Sequence, residues 1–367
     1  MKVAIVAPAT SIHTIRWACG LAARGLDVHL ISLHGPAPGL DPRVHWHPLR
    51  GRPPMAYLTA ARELATLLRA IAPDLVNAHY ASGYGTLVRW SGFRPTLLSV
   101  WGSDVCDFPR ASAVHRWLLR GNLAAATAIA STSHTMARRV TELVPQAKVF
   151  ITPFGVDEQV FVPGRAERDG DALVIGTVKT LERRYGVDVL IEAFARVAGR
   201  LASRPQVRLE ITGSGPQEQA LRVQVKRLGI EALVTFHGAV AHAQVPRMLQ
   251  RLDVFAALSR HESFGVAAIE AAACEKAIVV SDADGLAEVT RHMQTGWVVP
   301  KDDPAAAADA LTALVRDAAL RQSLGRAARA HVLRHYSWSR SLDLMVEAFE
   351  AVAGEHQAAR TARLHPP

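Results

Sequence analysis

Short β-branched runs alternate with amphipathic helical stretches along the whole chain, and that alternation restricts the fold more than any other feature. In the first half the candidate strands are residues 3–7, 28–32, 75–79, 96–100, 128–131 and 149–152. Between them lie apolar periods such as Met55, Leu58, Ala61, Leu64, Leu68 and Ile71, whose spacing lines one face of a single helix. The pattern restarts after Val162-Pro163-Gly164 and a charged stretch, residues 165–171, that reads as a linker. Candidate strands then recur at 173–178, 207–212, 234–237, 254–258 and 277–281. Strand, helix and strand in series build a parallel sheet covered by helices on both faces. The expectation is an α/β chain of two Rossmann-like, doubly wound domains, residues 1–163 and 164–338, then a helix at 339–353 and a loosely ordered end to 367. Ligands in such sheets bind outside the carboxyl ends of the strands. Two domains of this kind, facing each other across a cleft, would each hold one substrate.

Composition narrows the function. With 367 residues, 49% hydrophobic and 20% charged, the chain reads as globular and long enough for two cores. Its three cysteines, Cys19, Cys106 and Cys274, have no metal-ligand spacing and suggest a reducing, cytoplasmic setting without a disulfide framework. The opening MKVAIVAP reads as a first strand rather than a signal peptide, and no apolar run approaches a membrane span. The positive charge is uneven. Residues 1–157 carry 16 Lys and Arg against 8 Asp and Glu, a net of +8, which leaves the remainder near neutral. Such asymmetry points toward an anionic partner for the first half: nucleic acid, an acidic lipid surface such as the inner face of a membrane, or a phosphate-bearing acceptor. No recognised nucleic-acid motif accompanies the charge. Arg110, Arg116 and Arg120, interleaved with Trp117, Leu118 and Leu119, form a basic amphipathic stretch suited to a membrane surface. Basic composition also serves solubility alone.

Most of the chemistry lies in residues 258–300, beginning LSRHESFGVAAIEAAAC. Ser263 and the pair Phe264-Gly265 read as the start of a helix running to about Cys274, with Ser263 as the cap. A helix start left open binds anions such as phosphate, and Gly265 would let a ligand approach the backbone. Glu262 then stands just outside the helix and Glu270 inside it, among Ala267, Ala268, Ala271, Ala272 and Ala273. A carboxylate packed among small residues needs donors, which ribose hydroxyls would supply. Either glutamate alone is more often a dipole complement or a solvated side chain.

The segment resembles the E-x7-E region of the retaining glycosyltransferases called family 4, including Ser281, Gly285, Glu288, Thr295-Gly296 and Pro300. The resemblance extends over nearly the whole chain and implies the GT-B arrangement of two Rossmann-like domains, with a nucleotide-sugar donor held by the second. It assigns Glu262 to the donor sugar and Glu270 to the nucleotide ribose. It also implies a basic pair against the donor diphosphate in the loop after strand 173–178, where Lys179 and Arg184 are the choice and Arg183 the substitute. Gly213, in the turn Gly213-Ser214-Gly215-Pro216, and Val240, after His237-Gly238-Ala239, fall where relatives touch the donor. Glu275, Lys276 and Ala277 replace a common Gly-x-Pro, and Thr177 replaces a frequent Arg. The resemblance implies neither a metal nor another cofactor, and Lys179 and Arg184 would stabilise the leaving diphosphate instead.

In the first half, His13, His79, Trp101 and Asp104 follow candidate strands and are the acceptor-side candidates. Relatives often carry His-Gly-Ser-Asp where this chain has Trp101-Gly102-Ser103-Asp104, so Trp101 offers a flat face for a sugar and no imidazole. The reading is a retaining, metal-independent glycosyltransferase of surface polysaccharide, glycolipid or related glycoconjugate synthesis. Its acceptor would be a glycan, a lipid-linked sugar or a small molecule. No second carboxylate is placed as an evident nucleophile, so front-face displacement is favoured over a covalent intermediate on Glu262. The alternatives are an epimerase or phosphorylase on the same fold, or a sugar-nucleotide-binding subunit without turnover.

Overall fold

The computed structural model describes every residue except 37, 165, 167–171, 202–205 and 365–367. The proposed linker, apart from Ala166, and the end of the chain after Leu364 therefore lie outside the described residues. Two compact units emerge, Met1–Pro153 with Ser341–Pro367, and Phe154–Arg340.

Among the described residues the first unit contains seven strands: β1 (Lys2–Val6), β2 (Asp27–Ser32), β3 (His45–Pro48), β4 (Leu75–His79), β5 (Thr96–Val100), β6 (Ala128–Ser131) and β7 (Val149–Ile151). They pair in parallel in the order β3-β2-β1-β4-β5-β6-β7. Val3 to Val6 are fully buried because helices cover both faces of a parallel sheet. Leu64 and Leu68, one turn apart on the helix Ala61–Ile71, pack with Val76, Tyr84 and Met136 in the core.

The single helix expected over residues 55–71 is in fact two, Ala56–Thr59 and Ala61–Ile71. The short one turns Ala56 and Tyr57 inward, with the Tyr57 ring edge-on to Tyr84 at 5.3 Å, so Met55 and Leu58 are left 64% and 41% exposed. Strand β3 went unrecognised because its HWHP sequence lacks apolar alternation, as an edge strand open to solvent permits.

Among the described residues the second unit has six strands: β8 (Leu173–Val178), β9 (Val207–Thr212), β10 (Val234–Gly238), β11 (Val254–Ala257), β12 (Ala277–Ser281) and β13 (Trp297–Val299). They are also parallel, in the order β10-β9-β8-β11-β12-β13. At three residues, β13 is too short to show a period in sequence. Ile175, Leu190, Phe194, Ile211 and Leu311 fill the core. The helix Pro304–Arg316 that contributes Leu311 starts with Pro at its first position, and Asp303 accepts from the Ala305 and Ala306 amides at 3.0 and 2.9 Å.

The first unit's opening segment ends at Pro153, earlier than the expected 163, because the next residues pack into the second unit. Phe154 meets the Phe264 ring edge-on at 6.0 Å, and Val156 exchanges 2.8 Å backbone hydrogen bonds with Tyr336 and Trp338. The last helix runs Trp338–Leu364, beyond the expected 339–353. From Ser341 it packs with the first unit: Leu342, Met345, Phe349 and Val352 are buried at helical spacing, and Asp343 and Glu355 pair with Arg24 and Lys148.

Each sheet reverses its strand order at its first strand, between β1 and β4 and between β8 and β11. Such a reversal opens a crevice at the carboxyl ends, since the connections depart to opposite sides.

Candidate active site

At the reversal in the second sheet, Lys179 follows β8 directly and Glu262 follows β11 by a short loop. Their side chains meet, Lys179 Nζ donating to Glu262 Oε2 at 2.5 Å, with only 13% and 10% of each exposed. Ser259 Oγ donates to the same oxygen at 3.4 Å, and Ser281 Oγ, from β12, donates to the Ser259 carbonyl at 2.5 Å. Lys179 Nζ also lies 4.3 Å from the centre of the Tyr185 ring and Arg184 Cζ 5.4 Å from it. Burial raises the Tyr185 phenol above its ordinary range, so the ring stands neutral beneath two cations.

Backbone contacts hold these groups in place. The Arg184 carbonyl accepts the Arg260 and His261 amides at 2.8 and 3.2 Å, which joins the loop after β8 to the segment leading into Glu262. Arg260 strengthens the junction with a bidentate pair to Asp188 at 2.9 and 2.8 Å and a 2.6 Å bond to the Arg183 carbonyl. Arg183 itself is exposed, whereas Arg184 is half-buried and donates to Glu182 at 2.7 Å. Gly213 has φ +135°, and a Cβ there would fall 1.9 Å from the Lys179 carbonyl. That close approach of backbones accounts for Gly213 without a ligand.

The helix bearing Glu270 begins later than expected. It spans Val266–Ala273, and the residue before it is Gly265 at φ 105°, so Ser263 is not the cap. Phe264 is 2% exposed, wedged edge-on against Phe154 and Tyr336, and anchors the loop rather than facing a ligand through its ring. The amides of Val266 and Ala267 precede the helical ladder, whose first bonds run from Ala268 and Ile269 to the Gly265 carbonyl. Glu270 is 5% exposed, and its Oε1 lies 3.2 Å from His242 Nε2. Val240, half-buried, closely precedes the turn carrying His242. His237 is held by Glu210, which also accepts a bidentate pair from Arg251.

In the first unit the corresponding reversal gathers His13, His79, Tyr80 and Trp101. Trp101 is 8% exposed, with its ring centre 4.4, 4.9 and 6.0 Å from those of His79, Tyr80 and His13. So buried a ring offers little surface for the sugar-stacking expectation. Asp104 is also buried; its carboxylate accepts the amides of Ala81, Trp101 and Gly102 at 2.9, 3.1 and 2.9 Å, so it shapes the loop instead of reaching an acceptor. His79 is 1% exposed, between Asn77 Oδ1 at 2.9 Å and Thr14 Oγ1 at 3.5 Å. Of the four candidates only His13 is part-exposed.

Residues 162–331 match the family model "Glycosyl transferases group 1", and residues 2–133 match "Glycosyl transferase 4-like". The chain belongs to the family 4 glycosyltransferases. Its two parallel sheets are the two-domain α/β GT-B fold. A sucrose-phosphate synthase from Thermosynechococcus elongatus has the same fold, with TM-score 0.82, 19% identity and coverage of 97% of this chain and 100% of that one. A D-inositol 3-phosphate glycosyltransferase of Jonesia denitrificans is 31% identical over 221 residues, 55% of this chain and 51% of that protein. A phosphatidyl-myo-inositol mannosyltransferase of Mycobacterium tuberculosis is 36% identical over 211 residues, 55% of this chain and 54% of that protein. The chain thus spans about half the length of these curated relatives.

Three members of this cluster carry no motif in the sequence. They are Tyr185 in the loop after β8, His242, which lies far from Glu270 in the chain, and Arg260, two residues before Glu262. Tyr185 meets Lys179 and Arg184 within its own loop, whereas His242 and Arg260 reach Glu270 and Asp188 only when segments distant in sequence come together.

His79 makes stability depend on pH. Burial, then the nearby His13, lowers its imidazole to about 3, against about 6.5 in an unfolded chain. Below pH 6.5 the unfolded chain binds a proton that the native ring refuses, so stability is full above that value and falls progressively toward pH 3. His331, lowered to about 4 mainly by burial, acts in the same direction. Urea midpoints should therefore decline from pH 7 to pH 5, with a shallower slope in His79→Gln. An unchanged slope would show that the buried ring does not control this loss.

Proposed function

We propose that the chain transfers a sugar from a nucleotide-sugar to an acceptor hydroxyl with retention at the anomeric carbon and without a metal. The observation that carries this reading is the Lys179–Glu262 contact over Tyr185 at the reversal of strand order. Such a crevice is where doubly wound sheets hold ligands, and a cation with part of its hydrogen-bonding capacity already assigned is suited to a diphosphate. An ammonium has three donors, so a bond to Glu262 leaves others for phosphate oxygens.

In this mechanism the bond from the anomeric carbon to the diphosphate breaks as the acceptor oxygen bonds the same carbon on the same face. The acceptor's proton passes to the departing diphosphate oxygen. Lys179 and Arg184 stabilise the growing negative charge, together with the amides at the start of Val266–Ala273. Glu262, fixed by Lys179 and Ser259, orients the donor hydroxyls. Glu270, held at one oxygen by His242, binds the ribose. No observation favours an epimerase, a phosphorylase or a subunit without turnover.

An anionic acceptor, or one presented on an anionic membrane, suits the first unit. Arg110, Arg116 and Arg120 are exposed, and Val114 and Trp117, one turn apart on the helix Ala113–Ala125, are 70% and 69% exposed. Leu119 faces the core instead. The names of both relatives, one an inositol phosphate enzyme and the other a phosphatidyl-inositol enzyme, support an acceptor of this kind. Among the described residues no helix is long and apolar enough to cross a membrane.

Replacing Glu270 by Ala should weaken nucleotide-sugar and free nucleoside diphosphate alike, by roughly tenfold or more, the worth of hydrogen bonds to a charged group. Replacing Glu262 by Ala should spare nucleotide affinity and lower kcat by about a hundredfold, as when a transition-state contact is lost. Calorimetric titration beside steady-state kinetics separates the two; the opposite pattern would reverse the roles.

Lys179→Ala combined with Arg184→Ala should lower kcat far more than it raises the donor KM, because charge on the diphosphate grows as the glycosidic bond breaks. Activity should survive EDTA. Its complete loss, restored by magnesium or manganese, would mean that a metal performs the task given to these cations.

Co-sedimentation with vesicles should show binding to anionic but not neutral lipid, weakening as salt rises. Arg116→Ala and Arg120→Ala should each cost about 1 kcal/mol, roughly fivefold in affinity. Equal binding to neutral vesicles, or none to either kind, would leave a soluble acceptor as the partner of the basic half.

A further inference from the structure

The outer edge of the first sheet carries a cluster unrelated to the donor site. Pairing of β2 with β3 sets His29 beside His45 and Ile31 beside His47. Because side chains alternate along a strand, Asp27 and His29 share one face of β2, next to His45 and His47 on β3. Asp27 Oδ1 lies 3.2 Å from His29 Nε2 and 3.5 Å from His45 Nε2. The ligand-type atoms of all three residues fall within 4.8 Å of one another. The second nitrogen of His29, Nδ1, lies 2.9 Å from His47 Nε2, and the His29 ring stacks on those of His45 and His47 at 4.8 and 5.2 Å.

We propose that Asp27, His29 and His45 bind one divalent late-transition-metal ion of the zinc or nickel class, which clasps the edge strand β3 to β2. Imidazole nitrogen with carboxylate oxygen is the donor set such ions take, whereas magnesium takes oxygen alone. The spacing fits as well. Ligand atoms about 2.1 Å from a shared tetrahedral ion lie about 3.4 Å apart, close to the two separations around Asp27 Oδ1. The nearest competing cation, Lys2 Nζ, is 4.0 Å away and approaches the other oxygen, Oδ2. His47 acts as a positioning residue. With its Nε2 accepting a hydrogen bond from His29 Nδ1–H, it leaves the His29 Nε2 lone pair toward the ion, the arrangement that orients metal-bound histidines.

The fourth position is open to water from the exposed side, where Asp27 and His45 are 44% and 59% exposed. Such an ion joins two segments separated by residues 33–44 and blunts a sheet edge that would otherwise offer unpaired backbone groups. None of its ligands belongs to the Lys179–Glu262 cluster, so metal at this site and metal-independent turnover are compatible.

The test uses the full chain without a polyhistidine tag, stripped by chelator and titrated calorimetrically with zinc chloride, nickel chloride or magnesium chloride. One equivalent of zinc or nickel should bind, and magnesium should not. His45→Gln, at an exposed position, should weaken zinc at least tenfold and abolish the rise in Tm that zinc causes in the parent. His47→Gln should weaken it about tenfold, as loss of an outer hydrogen-bond partner does. His335→Gln, which alters a close histidine pair elsewhere, His331–His335, should bind as the parent does. Asp27→Asn provides a second ligand variant if circular dichroism shows His45→Gln to be misfolded. Absence of stoichiometric zinc binding by the parent, or equal binding by both ligand variants, would overturn the proposal.

Discussion

In a doubly wound sheet the first strand is flanked by strands whose connections cross to opposite faces, and the space beyond its carboxyl end is left uncovered. That constraint governs the second unit. Val178 and Ala257 end neighbouring strands, so the segments that follow leave the sheet side by side. Lys179 and Glu262, distant in sequence, then emerge within hydrogen-bonding distance. Everything else around them, the Tyr185 ring, the Arg184 carbonyl joined to Arg260 and His261, and the Arg260–Asp188 pair, holds these two loops together.

A shielded ion pair of this kind is a poor stabiliser, because removing two charges from water costs much of what their attraction returns. Its persistence at a crevice fits a binding role better than a folding role. The contrast with Arg196–Glu192 is useful. That pair, one turn apart on an exposed helix surface, sits where screening leaves an interaction little weight. At the strand reversal the surrounding protein reduces screening, so the same kind of contact keeps more of its electrostatic weight.

The first unit uses the same topology differently. Its reversal is filled by aromatic rings and a carboxylate serving three backbone amides, so Trp101, His79 and Asp104 support the crevice from within. Its charge lies on the exterior, where Arg116, Trp117 and Arg120 are exposed together on one helix. A basic surface with an exposed indole is suited to a phosphate-rich interface, since the ring tolerates the boundary between polar and apolar media.

Strand and helix periods, the restart after Gly164 and the E-x7-E segment were legible because they depend on local composition: buried parallel strands must be apolar throughout, and helices must show one apolar face. The edge strand His45–Pro48 was not legible, because an edge is free of that demand, and neither was the break at Ala60, which inward packing of Ala56 and Tyr57 decides. Among site residues, the sequence by itself determined which carboxylates and cations were available: Glu262, Glu270, Lys179 and Arg184. Only the tertiary structure decided that Lys179 pairs with Glu262, that His242 holds Glu270, that Phe264 and Trp101 turn inward, and that Asp27, His29 and His45 converge. Those outcomes depend on strand order and register, which bring together residues whose separation along the chain carries no trace of their contact.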